Sequence, residues 1–190
     1  MHFSLSDCIL DLVQNSIEAD AKEVQLLLEE SDDSLIVRIE DNGCGMTEVE
    51  LKKATDPFYT DGKKHVHRKV GLGLPFLIQT VSMTDGSFKI RSEKDKGTRV
   101  DIEFNLKSID TPPVGDLISL IYQVMSFSGS FNLIVNRSYT KDQKSDSYTV
   151  NRNELQEILG DLNSVSSLSL LKDFITSQEE ELITSWSSTS

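Results

Sequence analysis

Residues 41–46 read Asp41-Asn42-Gly43-Cys44-Gly45-Met46, and this run divides everything on either side of it. Asp, Asn and Gly favour turns because their side chains bond the local backbone or leave it unhindered. Immediately before it, Ser34–Asp41 places Leu35, Val37 and Ile39 on one face of a strand. Glu23–Glu30 alternates in the same way through Val24, Leu26 and Leu28, and a short Asp/Ser turn between the two predicts a hairpin. Immediately after it, Thr47-Glu48-Val49-Glu50 matches a capping box and opens a short helix through about Thr55. Asp56-Pro57 breaks that helix.

Further upstream, Leu5, Cys8, Ile9, Leu12, Val13 and Ile17 recur at helical spacing. The opposite face carries Asp7, Asp11, Asn15 and Glu18, and Ala19-Asp20-Ala21 ends the helix. Downstream, residues 56–70 show no periodicity and read as a loop. Gly71-Leu72-Gly73-Leu74-Pro75 opens another helix, where proline costs little in the first turns. Gly86 closes that unit. Phe88–Arg91 and Arg99–Phe104 read as strands joined by a tight turn through Asp95-Lys96-Gly97.

Thr111-Pro112-Pro113 is the best internal boundary. Beyond it a helix is expected through Leu117–Met125, then strands Phe131–Arg137 and Tyr148–Asn151 around a polar loop. A helix capped by Asn153 should end at Gly160, a last helix should span about 168–183, and the Ser-rich end 185–190 should fray. The expected division is 1–107 for one domain and 108–190 for a mixed α/β extension, either packed on the same sheet or binding a partner.

The chain has 190 residues, enough to bury a sizeable core. Its formal net charge of −12 argues against nucleic-acid and anionic-membrane partners, which need basic surface. No apolar run approaches the ~20 residues of a membrane-spanning helix, and no signal peptide is expected at the start. Cys8 and Cys44 suggest neither a disulfide scaffold nor a metal-binding spacing, so a reducing, cytoplasmic location is expected. Against this acidic background, residues 61–69 (Asp-Gly-Lys-Lys-His-Val-His-Arg-Lys) hold four of the nineteen Lys/Arg. The cluster is either a solvated basic loop or one that meets a small polyanion.

Four features follow one another: Asn15 on an acidic helix face, Asp41 in the glycine-rich turn, Gly71-x-Gly73 opening a helix, and Gly97-Thr98 entering a strand. Each alone is weak. Together they describe an adenine nucleotide with Mg²⁺. An Asp in a glycine-rich turn accepts a hydrogen bond from an exocyclic amine, and glycines let a flat base approach the backbone. A helix that starts at Gly-x-Gly aims free N–H groups at phosphate. An Asn beside carboxylates holds Mg²⁺ through oxygen and water.

At these residues the sequence resembles the GHKL superfamily, which contains DNA gyrase B, the heat-shock chaperone ATPases, histidine kinases and MutL. Asp11 to Ala21 is similar to its N box, Asp41–Met46 to its G1 box, Gly71–Leu74 to its G2 box, and Lys96-Gly97-Thr98 to its third glycine element. The likeness covers about residues 5–105. It implies a Bergerat-type fold, an α/β (α+β) two-layer sandwich whose mixed sheet is covered on one face by helices.

The resemblance also implies roles. Asp41 would bind the adenine amine with Thr98 assisting through water, in the setting of Gly43, Gly45 and Met46. Asn15 would coordinate Mg²⁺. Gly71 and Gly73 would bind phosphate through main-chain N–H, with Leu74 beside them in the nucleotide site, and residues 56–70 would form the ATP lid, with Lys63 or Lys69 reaching phosphate oxygen. ATP and Mg²⁺ are the expected cofactors. Asp11 stands where the superfamily's ATPases carry a Glu general base. One methylene fewer shortens its reach by on the order of 1 Å, a displacement that can cost about 10²-fold in rate. Glu18 is either a helper near the metal or solvated.

The N and G1 boxes are similar to MutL, whereas Asp56-Pro-Phe-Tyr-Thr60 is similar to the lid of histidine kinases. Of the residues before the first helix, His2 lacks the helical context of a phosphoacceptor, so a self-contained sensor kinase is not expected. The expectation is a stand-alone Mg-ATP-binding protein, a slow ATPase or a kinase of an unidentified protein partner in regulation. The alternative is a non-catalytic ATP-dependent interaction module. Oligomeric state is left open.

Overall fold

The computed structural model describes residues 4–56 and 73–184. The reading of Lys63, Lys69, Gly71 and most of the lid lies outside the described residues. Helix α1 (Leu5–Glu18) begins at Ser4, whose hydroxyl accepts from the Asp7 N–H while the Asp7 carboxylate accepts from the Ser4 N–H. Its apolar stripe, Leu5, Cys8, Ile9, Leu12 and Val13, is buried. The hairpin follows as β1 (Glu23–Ser31) and β2 (Ser34–Asp41), antiparallel, with Val24 opposite Asp41. Helix α2 (Glu48–Thr55) carries the Thr47/Glu50 capping box in both directions. Helix α3 (Gly73–Met83) starts at the second glycine of Gly71-x-Gly73.

The second hairpin is β3 (Ser87–Glu93) with β4 (Gly97–Asn105), and β4 pairs antiparallel with β2 so that Thr98 faces Asp41. Helix α4 (Leu117–Ser126) is capped by Asp116. Then come β5 (Asn132–Lys141), β6 (Lys144–Asn151), α5 (Arg152–Leu159) and α6 (Val165–Thr184). The six strands form one sheet in the order β3-β4-β2-β1-β5-β6. All neighbours are antiparallel except β1 and β5, so the sheet is mixed.

The helices cover one face. Leu26, Leu28, Leu35, Val37, Ile39, Val100, Ile102, Leu133 and Val135 point into a single core with Ile9, Leu77, Ile121, Leu171 and Ile175. The opposite face is charged. There Asp101 is held between Arg38 (Nε to Oδ1, 2.6 Å) and Arg99 (Nε to Oδ2, 2.9 Å), and Arg99 also reaches Glu40. This alternation is what the strand patterns call for, and the fold class read from the sequence is the one observed.

The expected division after residue 107 falls between β4 and α4, and strands from both sides of it share the sheet. The connecting segment is strapped to α1. Leu5 and Ser6 donate their N–H groups to the carbonyls of Pro113 and Val114.

Three local expectations differ from the structure. The polar stretch 138–147 is not a loop. It forms paired strand ends closed by Asp142 and Gln143, both in the left-handed region. Most of β6 is exposed, so no apolar alternation marks it in the sequence. Helix α5 is capped by Asn151, which accepts from the Asn153 N–H, rather than by Asn153 itself. Helix α6 begins at Val165, three residues before the expected start.

Candidate functional site

A cavity of about 180 Å³ opens between α1, α2, α3 and the ends of β2, β3 and β4. Its walls are mainly apolar, through Leu12, Ile39, Ala54, Leu74, Ile90 and Val100. Polar character enters from Asn15, Ser16, Glu18, Asp41 and Thr98, and the glycine-rich turn contributes Cys44, Gly45 and Met46. The volume suits one flat ring system.

Asp41 is the last residue of β2 and only 9% exposed. Both of its oxygens are engaged. Oδ1 accepts from the Gly43 N–H at 2.8 Å, and Oδ2 accepts from the Ser16 hydroxyl at 2.8 Å. These bonds fix the plane of the carboxylate and leave lone pairs for a donor in the cavity. No cation pairs with it among the described residues, so its ligand-facing strength comes from position rather than a salt bridge. The Ser16 contribution was not read from the sequence. A hydroxyl 25 positions from its partner gives no local signal, although Ser16 directly follows Asn15.

The turn itself admits only glycine at its tightest point. Gly45 has φ +55°, and a Cβ there would lie 2.0 Å from the Glu93 carbonyl oxygen. At Gly43 a Cβ would lie 2.7 Å from the Ala19 carbonyl oxygen. The turn therefore packs against both the end of α1 and the β3–β4 turn. Asn42 adds a further tie, its Oδ1 accepting from the Lys22 and Glu23 N–H groups.

Ser92 joins the two glycine elements. It accepts from the Met46 N–H (2.8 Å), donates its one proton to the Gly97 carbonyl (3.1 Å), and lies 2.8 Å from Thr98 Oγ1. With the Ser92 proton so used, Thr98 is the donor to Ser92. Its Oγ1 then offers only acceptor capacity to the cavity. Ser92 was also missed in the sequence, where it is one small polar residue in an edge strand.

Asn15 is exposed at the cavity mouth, and its carboxamide has no protein partner among the described residues. Mg²⁺ keeps several waters and takes one or two protein oxygens beside phosphate, so one free carboxamide fits it. No group of three or more His, Cys, Asp or Glu gathers as a metal cage among the described residues. Asp11 lies one turn before Asn15 on the same face of α1 but does not line the cavity. Glu18 lines it and accepts from the Gln14 side chain at 2.8 Å. Gly73 stands at the start of α3, and Leu74 lines the wall.

Cys8 and Cys44 form no disulfide. Burial, reinforced by the charges of Asp7 and Asp11, pushes the Cys8 thiol up to about 12 and leaves it unreactive. Among the described residues no helix is long and apolar enough to cross a membrane.

The sequence profile of the family described as histidine kinase-, DNA gyrase B- and HSP90-like ATPase matches residues 3–108. Among similar curated proteins, "Sporulation kinase C" of Bacillus subtilis (strain 168) is 31% identical over 106 residues, covering 55% of this chain and 24% of that protein. "Putative sensor protein" of Shewanella frigidimarina is 29% identical over 109 residues, covering 56% and 16%. The chain thus spans a quarter or less of the length of these relatives. Among solved structures, the Aquifex aeolicus MutL ATPase domain complexed with ADP aligns with a TM-score of 0.43 at 17% identity, covering 71% of this chain and 60% of that one. The catalytic domain of histidine kinase ThkA aligns at 0.39 and 21% identity, covering 56% and 66%. With more than half its length matched by that family profile, the chain belongs to the histidine kinase-, DNA gyrase B- and HSP90-like ATPases.

Proposed function

We propose that the protein binds Mg-ATP in the cavity beside Asp41 and uses it in regulation, either hydrolysing it slowly or transferring its γ-phosphoryl group to a protein partner. The observation that carries this reading is the buried Asp41 carboxylate, held at both oxygens and facing an apolar cavity of ring size. The adenine amine donates to Asp41. Gly43 and Gly45 let the base lie against the turn. Thr98 accepts from a water shared with the base. Met46 and Leu74 contribute apolar contact.

Asn15 holds Mg²⁺, which when bound neutralises charge on the phosphate oxygens. By resemblance, the N–H groups of Gly71 and Gly73 would meet phosphate, and Lys63 or Lys69 would supply a charge-assisted donor to it. Asp11 orients water or a partner hydroxyl from one turn away. Residues 108–190 supply surface for the protein partner. Two cysteines outside any disulfide and the use of ATP favour a cytoplasmic setting.

The relatives whose printed names are kinases and sensor proteins favour phosphoryl transfer within this reading. A second reading, a non-catalytic module in which ATP closes the lid and reshapes a surface, is favoured by the position of Asp11 outside the cavity lining.

γ-Labelled ATP, with and without cell extract, separates these readings. Label on a protein means kinase, free phosphate means ATPase, and neither with retained binding means a module. Asp11→Asn should abolish transfer or release while leaving ATP binding intact. If Asp11→Asn turned over ATP at the wild-type rate, Asp11 would have no catalytic role.

A further inference from the structure

A second cleft lies beside the nucleotide cavity, at the same end of the sheet but on the β5 side. Its volume is about 360 Å³, and it is lined by Lys22, Ser130, Asn132, Arg152, Asn153 and Gln156 together with Gly129 and Phe131. None of these residues is acidic, in a chain of net charge −12.

Arg152 forms its floor and is 2% exposed. Its guanidinium donates to the carbonyl oxygens of Met125 (3.2 Å) and Phe127 (2.9 Å) at the end of α4 and of Phe131 (2.9 Å) just before β5, and lies 4.4 Å from the centre of the Phe131 ring. No carboxylate pairs with it among the described residues. Burial lowers its pKa with no acidic group opposing the effect. A buried cation normally has an anion beside it.

The surrounding amides are polarised by their own bonds. Gln156 Oε1 accepts from Arg152 Nη1, and Asn132 Oδ1 accepts from the Asn153 N–H. In each case the acceptor end is used by the protein, so the NH₂ end is the one left without a partner. The Lys22 ammonium, the Ser130 hydroxyl and the Asn153 carboxamide are likewise unpaired among the described residues. Arg152 spends four hydrogen bonds on the protein itself, so the cleft offers the free donors of Lys22, Ser130, Asn132, Asn153 and Gln156 above a buried cation, with no carboxylate in its lining.

We propose that this cleft binds the oxyanion group, carboxylate or phosphate, of a small molecule. The occupant sits between Lys22 and Gln156 over Arg152. The inference stands independently of the nucleotide reading. The volume is that of a small-molecule site, and the recognition is charge-assisted donation to oxygen.

The test uses the full chain, with inorganic phosphate and succinate as separate probes at ionic strength matched with chloride. Backbone amide shifts at Ser130, Asn132 and Asn153 should saturate with one probe or both in the range of about 1–10 mM. The two arms distinguish phosphate from carboxylate. Gln156→Glu places a carboxylate against Arg152 within the protein. It should weaken the response about tenfold or more and raise the melting temperature by about 2–4 °C. Lys22→Ala, at an exposed position, should weaken the response with the melting temperature unchanged. Shifts that stay linear with either probe, or a Gln156→Glu variant that binds as wild type, would overturn the proposal. Removing Arg152 itself is avoided because its burial couples it to folding.

Discussion

At Asp41 a single carboxylate is positioned by two donors from different parts of the chain, Ser16 on α1 and the Gly43 N–H in the turn. Under the nucleotide reading, Asp41→Asn loses a charge-assisted bond to the base, about 1.5–3 kcal/mol or tenfold to a hundredfold in ATP affinity by calorimetry. Ser16→Ala frees Oδ2 and should weaken ATP about tenfold, with the cooperative melt retained. Unchanged ATP affinity in both variants would remove Asp41 from the base site. Asn15, Asp41 and Thr98 were legible because they sit in short motifs at recognisable spacing. Ser16 and Ser92 were not, because a hydroxyl takes its role from what lies opposite it in space.

Among the elements, those with a buried stripe or a reciprocal cap were the readable ones. Helix α1 and the β1–β2 hairpin announced themselves through alternation of Leu, Ile and Val, and α2 through Thr47 and Glu50. The β5–β6 hairpin did so only at its base, because its outer half is held by ladder hydrogen bonds and side chains that face water. At its tip Asp142 (φ 48°) and Gln143 (φ 64°) both adopt left-handed backbone, the geometry of a tight two-residue hairpin turn. Gln143 has a Cβ that opposes it. Gln143→Gly should therefore stabilise the protein by about 1 kcal/mol, raising the melting temperature by about 2–4 °C. A fall in melting temperature would show that the Gln143 side chain is needed there.

For the whole molecule, stability divides between the two faces of the sheet. On the covered face, Arg137 is 2% exposed and bonds both Glu30 and Glu179, and the Tyr148 hydroxyl donates to the same Glu179 oxygen at 2.6 Å. This cluster ties α6 to β1, β5 and β6. Arg137→Met leaves the buried Glu179 and the half-buried Glu30 without their cation and should cost about 3–5 kcal/mol in denaturant unfolding. On the open face, Arg99 and Arg38 hold the Asp101 carboxyl down at about 2. The folded-state value lies below the unfolded one, so this contribution is fully present above about pH 4 and disappears as the pH falls through about 2. Asp101→Asn should lower stability at neutral pH and flatten the acid limb of the stability curve between about pH 4 and 2. An acid limb identical to wild type would show that Asp101 is not a source of that pH dependence.

The pairing of β1 also sets an order of events at the ribosome. Its antiparallel neighbour β2 emerges at once, but its parallel neighbour begins at Asn132, opposite Glu23 and more than a hundred residues later. At roughly 5–20 residues per second the nascent chain carries β1 with one bare edge for about 5–20 s. A strand with free N–H and C=O groups along one side is a template for any other extended chain. The later-made strand β5 thus acts as the cover for the edge of the earlier-made β1. Synthesis that stalls between residues 105 and 132 would release the sheet in its most adhesive form.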